Sequence, residues 1–180
     1  LKEIEWLTNA QIKLSTGTSG NSEIPYYDHL ALVAGDANYN DEAGIYPKQS
    51  GNEELSWEQT WANNIGLTLG FFNRVNLNVD FYHKKTTNML LLVPQSYAIT
   101  GVGNRWDNIG AMMNRGVEIA MDGDVIRTKY FTWNLSANVS YNKNKLLELY
   151  NGVEEYVNST TGLKYVVGHP VHEYYMNRYA

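Results

Sequence analysis

The sequence predicts an all-β fold, an antiparallel meander of long strands that would form a segment of a transmembrane β-barrel with long external loops. The first observation is an alternation of apolar with polar or small side chains, which is the period of a strand. It is clearest in residues 61–71 and 75–83, which are joined by the short turn at 72–74. The second is length, because each arm has about ten residues, against about five or six in most soluble strands and about nine to eleven in strands that cross a bilayer.

Three other segments alternate in the same way and complete the predicted meander. Their apolar positions are Ala10, Ile12 and Leu14; Val117, Ile119 and Met121; and Trp133, Leu135, Ala137, Val139 and Tyr141. The positions between them are polar or small. Residues 146–150 are too few to distinguish a strand from a helical turn, and no segment has a convincing helical period of about 3.6 residues.

The third observation is that long and short connections alternate. Residues 16–56 and 84–112 form long connections, 72–74 and 123–129 form short ones, and another long stretch follows residue 142. Outer-membrane barrels have short periplasmic turns and long external loops, with aromatic side chains at the membrane interfaces. Aromatic residues do flank the two short connections: Phe71, Phe72, Tyr130, Phe131 and Trp133. Periodicity alone also fits a soluble β-sandwich with solvated outer faces, and the connection lengths favour the barrel.

Composition excludes several classes of protein. The 180 residues are 43% hydrophobic with a mean hydropathy of -0.42, and no run approaches the roughly twenty apolar residues of a spanning helix. The net charge of -5 argues against a nucleic-acid partner. Because cysteine is absent, disulfides, thiolate catalysis and cysteine-ligated zinc are excluded. The first residues lack the basic and apolar regions of a signal peptide, and we expect the sequence to be an excerpt of a longer one.

No metal site is predicted. Residues 36–41 begin like a calcium loop, with oxygen ligands at alternate positions, but the sixth position is not glycine and the twelfth is Pro47 instead of glutamate. A solvated loop is the better interpretation. His169 and His172 flank Pro170, which breaks the helix that would aim both imidazoles at one metal, so we expect a surface loop there as well.

No catalytic residue or cofactor is predicted either. The neighbouring acids Glu53, Glu54 and Glu58 could suggest the paired carboxylates of a glycoside hydrolase, but their place beside a strand start indicates solvated charges. A glycine-rich phosphate loop, a nucleophile elbow and a zinc-binding HExxH helix are all absent from the sequence. The sequence therefore indicates a protein that is not an enzyme.

Aromatic residues in the long connections are the candidates for substrate binding. Flat rings stack on sugar faces or on peptide side chains, so such loops suit oligosaccharide or peptide capture. The candidates are Tyr26, Tyr27, Tyr39, Tyr46 and Trp106. For any single ring, the alternative is that it packs one loop against another.

Five ordered motifs resemble a known family. They occupy residues 14–21, 51–60, 64–67, 80–86 and 108–118. Together they are similar to the C-terminal barrel region of the SusC/RagA family of TonB-dependent outer-membrane transporters, typical of Bacteroidota. The shared motifs also have physical interpretations: Gly17 and Gly20 would let the first strand break into its long loop, and 108–116 would turn a loop back into a strand.

The resemblance implies a large barrel of about 22 strands in the outer membrane. It further implies an N-terminal plug, energy coupling through TonB, a SusD-like surface lipoprotein as a lid, and import of glycans or peptides. Residues 1–180 are expected to be a partial barrel region, without a plug and with too few strands to close. Its partners would be the lipoprotein, TonB through the full-length protein, the imported oligosaccharide or peptide, and outer-membrane lipid. Its two open edges predict self-association of an isolated fragment, and the alternative function is a soluble all-β carbohydrate-binding module.

Overall fold

The computed structural model describes residues 5–157, 163–171 and 173. These residues form eleven strands, one four-residue helix and one 3₁₀ turn. The strands are β1 Leu7–Asn21, β2 Leu32–Tyr39, β3 Glu42–Gln49, β4 Glu58–Phe71, β5 Val75–Thr87, β6 Leu90–Pro94, β7 Asn104–Asn108, β8 Ala111–Arg127, β9 Thr132–Glu148, β10 Glu155–Val157 and β11 Lys164–Val166; the helix, α1, is Tyr97–Thr100, and the 3₁₀ turn is Tyr150–Gly152. Among the described residues, no helix is both long and apolar enough to cross a membrane.

The main sheet is an antiparallel meander with the strand order β1-β4-β5-β8-β9. Its strands correspond to the five alternating segments predicted from the sequence, so the predicted fold class is confirmed. They have 15, 14, 13, 17 and 17 residues, which is more than the predicted ten and more than the roughly nine to eleven that cross a bilayer. Within the described residues, β1 and β9 are the two edges of this sheet, as expected of an open segment of a barrel.

The long connections contain strands of their own. The first carries the hairpin β2–β3, the second carries the hairpin β6–β7, and β10 pairs with β11 after the main sheet ends. Residues 36–41 are largely exposed, as expected of a solvated segment, but the expectation of a loop is wrong because they lie in a hairpin. Asn40 and Asp41, with φ of 53° and 65°, form the two-residue turn of the β2–β3 hairpin, a left-handed conformation that Asn and Asp tolerate and that matches strand twist.

Several predicted boundaries need correction. The predicted short link between these strands is present, but its bounds of 123–129 are wrong, because β8 continues to Arg127 and β9 begins at Thr132. The backbone N–H of Thr128 donates to the Phe131 carbonyl oxygen at 2.8 Å and closes the turn. Gly17 and Gly20 do not break the first strand, since both lie within β1. The ambiguous segment 146–150 splits between the end of β9 and the start of the 3₁₀ turn.

The short turn at 72–74 is confirmed. Phe72 and Asn73 have φ of 54° and 53°, and the Arg74 N–H donates to the carbonyl oxygen of Phe71 at 2.9 Å. The predicted turn back into a strand after residue 108 is also confirmed, because Gly110 has φ of 103° and β8 begins at the next residue. That φ lies in the left-handed region, which glycine enters without steric cost.

The chain divides into two compact units. The first, here called the strand unit, comprises Leu1–Thr18, Trp61–Lys85 and Met113–Lys145. The second, the connector unit, comprises Ser19–Thr60, Thr86–Met112 and Leu146–Ala180. The connector unit contains the buried apolar side chains of the described chain: Val93, Val102, Ala111, Leu146 and Leu149. In the described part of the strand unit, the buried positions are all glycines: Gly66, Gly70, Gly116 and Gly123.

Candidate functional site

The strand unit has an apolar face that is exposed. All its members except Val125 occupy alternate positions predicted to be apolar, and in this structure they are exposed, for example 74% for Leu14 and 63% for Val139. The other large members are Ile12, Trp61, Ile65, Leu67, Phe81, Ile119, Met121, Val125, Trp133, Leu135 and Tyr141. Contiguous apolar patches of this extent are rare on proteins surrounded by water. The face therefore has the composition of a surface that contacts hydrocarbon.

The opposite, polar face is joined by hydrogen bonds between side chains of different strands. In one of them, Thr68 Oγ1 donates to Asn78 Oδ1 at 2.8 Å across β4 and β5. The others are Asn64–Ser15 at 3.1 Å, Asn76–Asp122 at 3.0 Å, Asn134–Asp124 at 3.3 Å, Asn144–Asn114 at 2.7 Å and Tyr82–Asn142 at 3.1 Å. Every pair of adjacent strands in the sheet has at least one such link on the polar face. On the apolar face, Thr16 Oγ1 donates to Asn63 Oδ1 at 2.8 Å between β1 and β4.

Two glycines allow close approach on the polar face. A Cβ at Gly66 would lie 2.6 Å from Asp80 Oδ1, and a Cβ at Gly116 would lie 2.6 Å from Tyr82 Oη and against the carbonyl oxygen of Tyr141. Gly116 is on β8, between β5 and β9. Because Gly116 has no side chain, the Tyr82 side chain from β5 can cross over β8 and bond to Asn142 on β9.

A shallow depression on the polar face is lined by charged and amide side chains. It has a volume of about 450 Å³, and its lining includes Asp80, Lys84, Asn114, Glu118 and Asn142. Lys84 Nζ lies 5.6 Å from the centre of the Tyr82 ring, so the cation also contacts an aromatic face. Sequence reasoning did not single out these residues. The signal that could have found them is the shared parity of polar positions on adjacent strands, which places them on one face.

The five predicted binding residues lie in the connector unit, in one turn and on three strands. Tyr26 and Tyr27 are in the turn before β2 and are 94% and 66% exposed. Tyr46 is on β3 and is 41% exposed, and Trp106 is half-buried on β7. Tyr39 ends β2, and its side chain is not among those described.

Contacts join two of these elements. The Trp106 indole N–H donates to Asp28 Oδ2 at 2.7 Å, which attaches β7 to the turn that carries Tyr26 and Tyr27. The Gln49 side-chain amide donates to the Tyr27 carbonyl oxygen at 2.8 Å. Trp106 thus holds one loop against another, which is the alternative to cargo binding given above. The rings of Tyr26 and Tyr27 are exposed. Binding by these residues stays a prediction.

Tyr46 has an electrostatic partner within its hairpin. Its hydrogen bond to the Asp36 carboxylate, and then the negative charge of that group, raise the pKa of the Tyr46 phenol above its usual value of 10.0. A phenolate beside a carboxylate would be repelled, so the nearby Asp36 favours the protonated form of the phenol.

The candidate acids and histidines are spread along the connector unit. Glu53 and Glu54 are exposed in a turn, and Glu58 is the first residue of β4. His169 Nδ1 lies 2.8 Å from Glu173 Oε2, whereas His172 is outside the described residues. Across 5–157, 163–171 and 173, the His, Asp and Glu side chains form no group of three or more that could hold a metal ion.

Comparison with known proteins identifies the family of this chain. The family described as TonB dependent receptor-like, beta-barrel, matches residues 7–175. A TonB-dependent receptor of Formosa agariphila is 37% identical over 150 residues, which cover 83% of this chain and 14% of that receptor. The TonB-dependent receptor SusC of Bacteroides thetaiotaomicron is 31% identical over 164 residues, covering 84% of this chain and 16% of SusC.

Solved structures agree with these sequence matches. A structure of the RagAB peptide transporter is similar with a TM-score of 0.83 and 38% identity, covering 94% of this chain and 19% of the matched chain. The RagAB peptide importer in its open-open state gives a TM-score of 0.85 and 37% identity over the same shares. The chain thus spans less than a fifth of the length of each of these proteins. The resemblance to SusC and RagA is confirmed, and the chain belongs to the TonB-dependent receptor β-barrel family of the outer membrane.

Proposed function

We propose that this chain supplies strands and external loops to a TonB-dependent importer of nutrients too large for simple diffusion. The single observation that carries the proposal is the distribution of side chains in the strand unit. Large apolar side chains are exposed there, and polar side chains form hydrogen bonds with each other across strands. That arrangement suits a barrel wall with lipid outside and a polar interior. In this proposal, residues 1–180 are all barrel region, and the plug belongs to other parts of the full-length protein.

Peptides are the first class of cargo to consider, with glycans as the second. Similarity to the RagAB peptide transporter and importer, at 37–38% identity, supports peptides. The resemblance to the wider SusC/RagA family supports glycans. The exposed rings of Tyr26 and Tyr27 suit either cargo, because aromatic faces stack on sugars and on peptide side chains.

Two protein partners belong to the same proposal. A SusD-like surface lipoprotein would cover the external loops, and TonB would couple energy through the full-length protein. Similarity to SusC and to RagAB supports the first partner, and membership of the TonB-dependent receptor family supports the second. The family consists of receptors and transporters, which favours transport over any catalytic role for this chain.

Uptake by intact cells tests the proposal. Cells that make the full-length protein with a SusD-like lipoprotein are given fluorescent peptides from a tryptic digest of casein, and separately labelled maltooligosaccharides. We expect uptake of one class that is lost when the gene is deleted and when a protonophore collapses the energy source. Uptake unaffected by the deletion would contradict the proposal.

The soluble carbohydrate-binding module is not favoured, because the chain belongs to an outer-membrane barrel family. Cell fractionation separates the two functions directly. The importer predicts the full-length protein in the outer-membrane fraction, with an electrophoretic mobility that changes on heating as the barrel unfolds. The module predicts a soluble protein that binds oligosaccharide without detergent.

A further inference from the structure

Two asparagine residues, together with the Trp106 indole, join three separate segments of the connector unit. The segments are residues 26–30, which precede β2; residues 49–56, which precede β4; and residues 104–108, which form β7. The asparagines are Asn52 and Asn108, and both are partly buried. Both also belong to the motifs that the chain shares with its family, at 51–60 and 108–118.

The Asn108 side chain bonds to the backbone of segment 49–56 and to the backbone of Asn88, which lies between β5 and β6. Its Oδ1 accepts from the Ser56 N–H at 2.6 Å, and its Nδ2 donates to the Ser56 carbonyl oxygen at 2.6 Å and to the Asn88 carbonyl oxygen at 3.1 Å. The side-chain amide thus pairs with both backbone groups of Ser56, as a residue of a neighbouring strand would. Ser56 lies just before β4, where the backbone is outside the strand ladder and needs other partners.

Asn52 makes the second set of bonds. Its Nδ2 donates to the Trp106 carbonyl oxygen at 3.0 Å and to Asp107 Oδ1 at 3.3 Å. Its Oδ1 accepts from the Glu54 N–H at 3.1 Å, which shapes the turn that carries it. The backbone N–H of Asn52 donates to the His29 carbonyl oxygen at 2.9 Å, so this one residue contacts all three segments.

One further bond closes the arrangement. The Trp106 indole N–H donates to Asp28 Oδ2 at 2.7 Å, joining 104–108 directly to 26–30. We call this network, formed by Asp28, Asn52, Ser56, Trp106 and Asn108, the clasp. It lies where the hairpins β2–β3 and β6–β7 begin or end, so it fixes their bases and the turn that carries Tyr26 and Tyr27.

We propose that Asn52 and Asn108 are positioning residues, which hold the two hairpins and the Tyr26–Tyr27 turn in one arrangement that cargo capture requires. This inference rests on the proposed import function and deepens it. The two amides need touch no cargo, since they act through the segments that they join. Their loss should weaken capture at the cell surface while leaving the barrel and its transport step intact.

The sharpest single change is Asn52→Asp in the full-length protein. It removes both donations by Nδ2 and places a carboxylate near Asp107 Oδ1, which is 3.3 Å from the present Nδ2. For labelled peptides from a casein digest, we expect the half-saturating concentration to rise about tenfold, the size expected for two lost hydrogen bonds. The maximal uptake rate should remain within about twofold, since a tenfold rate change would need about 1.4 kcal/mol at the transport step itself.

Two further variants separate positioning from general damage. The double variant Asn52→Asp/Asp107→Asn removes the repulsion and restores a donor between the two side chains, so it should recover part of the lost affinity. Asn104→Asp is the matched control, because it introduces the same charge at an exposed position of the same strand, β7. It should leave the half-saturating concentration unchanged.

Proteolysis gives a readout that needs no cargo. Chymotrypsin cleaves after tyrosine, and on intact cells it should cut at Tyr26 and Tyr27 faster in Asn52→Asp than in the control, with partial protection restored in the double variant. The inference is overturned if Asn52→Asp matches Asn104→Asp in both cleavage and uptake, or if the double variant recovers neither. If the unchanged protein takes up no peptides, the proposed peptide cargo fails, and the cleavage rates alone then decide about the clasp.

Discussion

The strand unit and the connector unit of this chain bury opposite kinds of residue. In the described part of the strand unit, glycines are the buried positions, and large apolar side chains such as Leu14 and Val139 are exposed. In the connector unit, Leu146 and Val93 are only 3% and 4% exposed, as in an ordinary hydrophobic core. One sequence has therefore adapted to two solvents, with hydrocarbon in contact with the first unit and water in contact with the second.

The difference follows from where each unit obtains its cohesion. Lipid supplies the apolar contacts of the strand unit, so its lateral cohesion comes from backbone ladders and from polar pairs such as Thr68 with Asn78. Water offers no apolar contacts, so the connector unit must bury its apolar side chains against each other. Substitutions of matched chemistry in the two units should consequently have different effects.

Truncation of a leucine should produce the largest contrast. Leu146→Ala removes a side chain that is 3% exposed in the connector unit and should lower the free energy of unfolding there by about 2–5 kcal/mol. Leu135→Ala removes one that is 49% exposed on the apolar face, where lipid tails can fill the space left behind. Amide hydrogen exchange of the full-length protein in lipid measures the loss of stability in the connector segments, and it should be faster there in Leu146→Ala. Equal losses from the two variants would refute the assignment of two solvents.

Arginine substitutions at two adjacent exposed positions of β9 should show which face of the strand contacts lipid and which faces the polar interior. Val139 and Asn138 lie near the middle of the strand and are both exposed, so neither substitution meets a steric barrier in this structure. Val139→Arg should cost about 2–4 kcal/mol of membrane stability because its charge faces hydrocarbon, whereas Asn138→Arg faces the polar interior. The fraction of heat-modifiable, folded protein in outer membranes measures both. A soluble sheet would tolerate the two changes equally.

A methyl group added at Gly116 should break the polar face locally. Gly116→Ala brings a Cβ to 2.6 Å from Tyr82 Oη and against a backbone carbonyl oxygen, and overpacking of this kind costs about 1–3 kcal/mol. Gly17→Ala is the control, because an added Cβ there meets nothing within 4 Å. Urea unfolding of the barrel, followed by electrophoretic mobility, should show a lower midpoint for the first variant only. A lower midpoint for Gly17→Ala would indicate that glycine is needed in these strands for its backbone conformation, and not because a neighbouring group occupies the place of a side chain.

The sequence was informative where one periodic pattern spans a whole strand. Alternation located all five strands of the main sheet and assigned their faces, because lipid on one side and polar groups on the other impose a period of two at every position. The hairpin β2–β3 escaped prediction because Val33, Gly35 and Ala37 alternate too weakly, and its turn at Asn40-Asp41 resembled a ligand loop. Both strands are also largely exposed, so little burial constrains their pattern.

The candidate site was only partly accessible to sequence reasoning. Aromatic residues in loops could be noticed, and the structure places four of their side chains in the connector unit. The clasp could not be derived, because Asn52 and Asn108 are 56 positions apart and bond mainly to backbone atoms, which have the same chemistry at every residue.

The smallest expected effect concerns the hydroxyl of Tyr82. It donates to Asn142 Oδ1 at 3.1 Å in an exposed setting, so Tyr82→Phe should lower the free energy of unfolding by no more than about 1 kcal/mol. Tyr130→Phe, at a ring that is 90% exposed in a turn, provides the reference for a hydroxyl without this role. Urea midpoints of the full-length barrel measure both variants.

A larger change at Tyr82 becomes informative when it is combined with Gly116→Ala. An added Cβ at Gly116 would meet Tyr82 Oη at 2.6 Å and Cζ at 2.7 Å, and Tyr82→Ala removes both atoms while the clash with the Tyr141 carbonyl oxygen remains. The cost of Gly116→Ala should therefore be smaller in the Tyr82→Ala background than in the unchanged protein, a non-additivity expected of residues in contact. Additive costs would mean that backbone crowding alone requires glycine at position 116, and that the reach of Tyr82 across β8 is incidental.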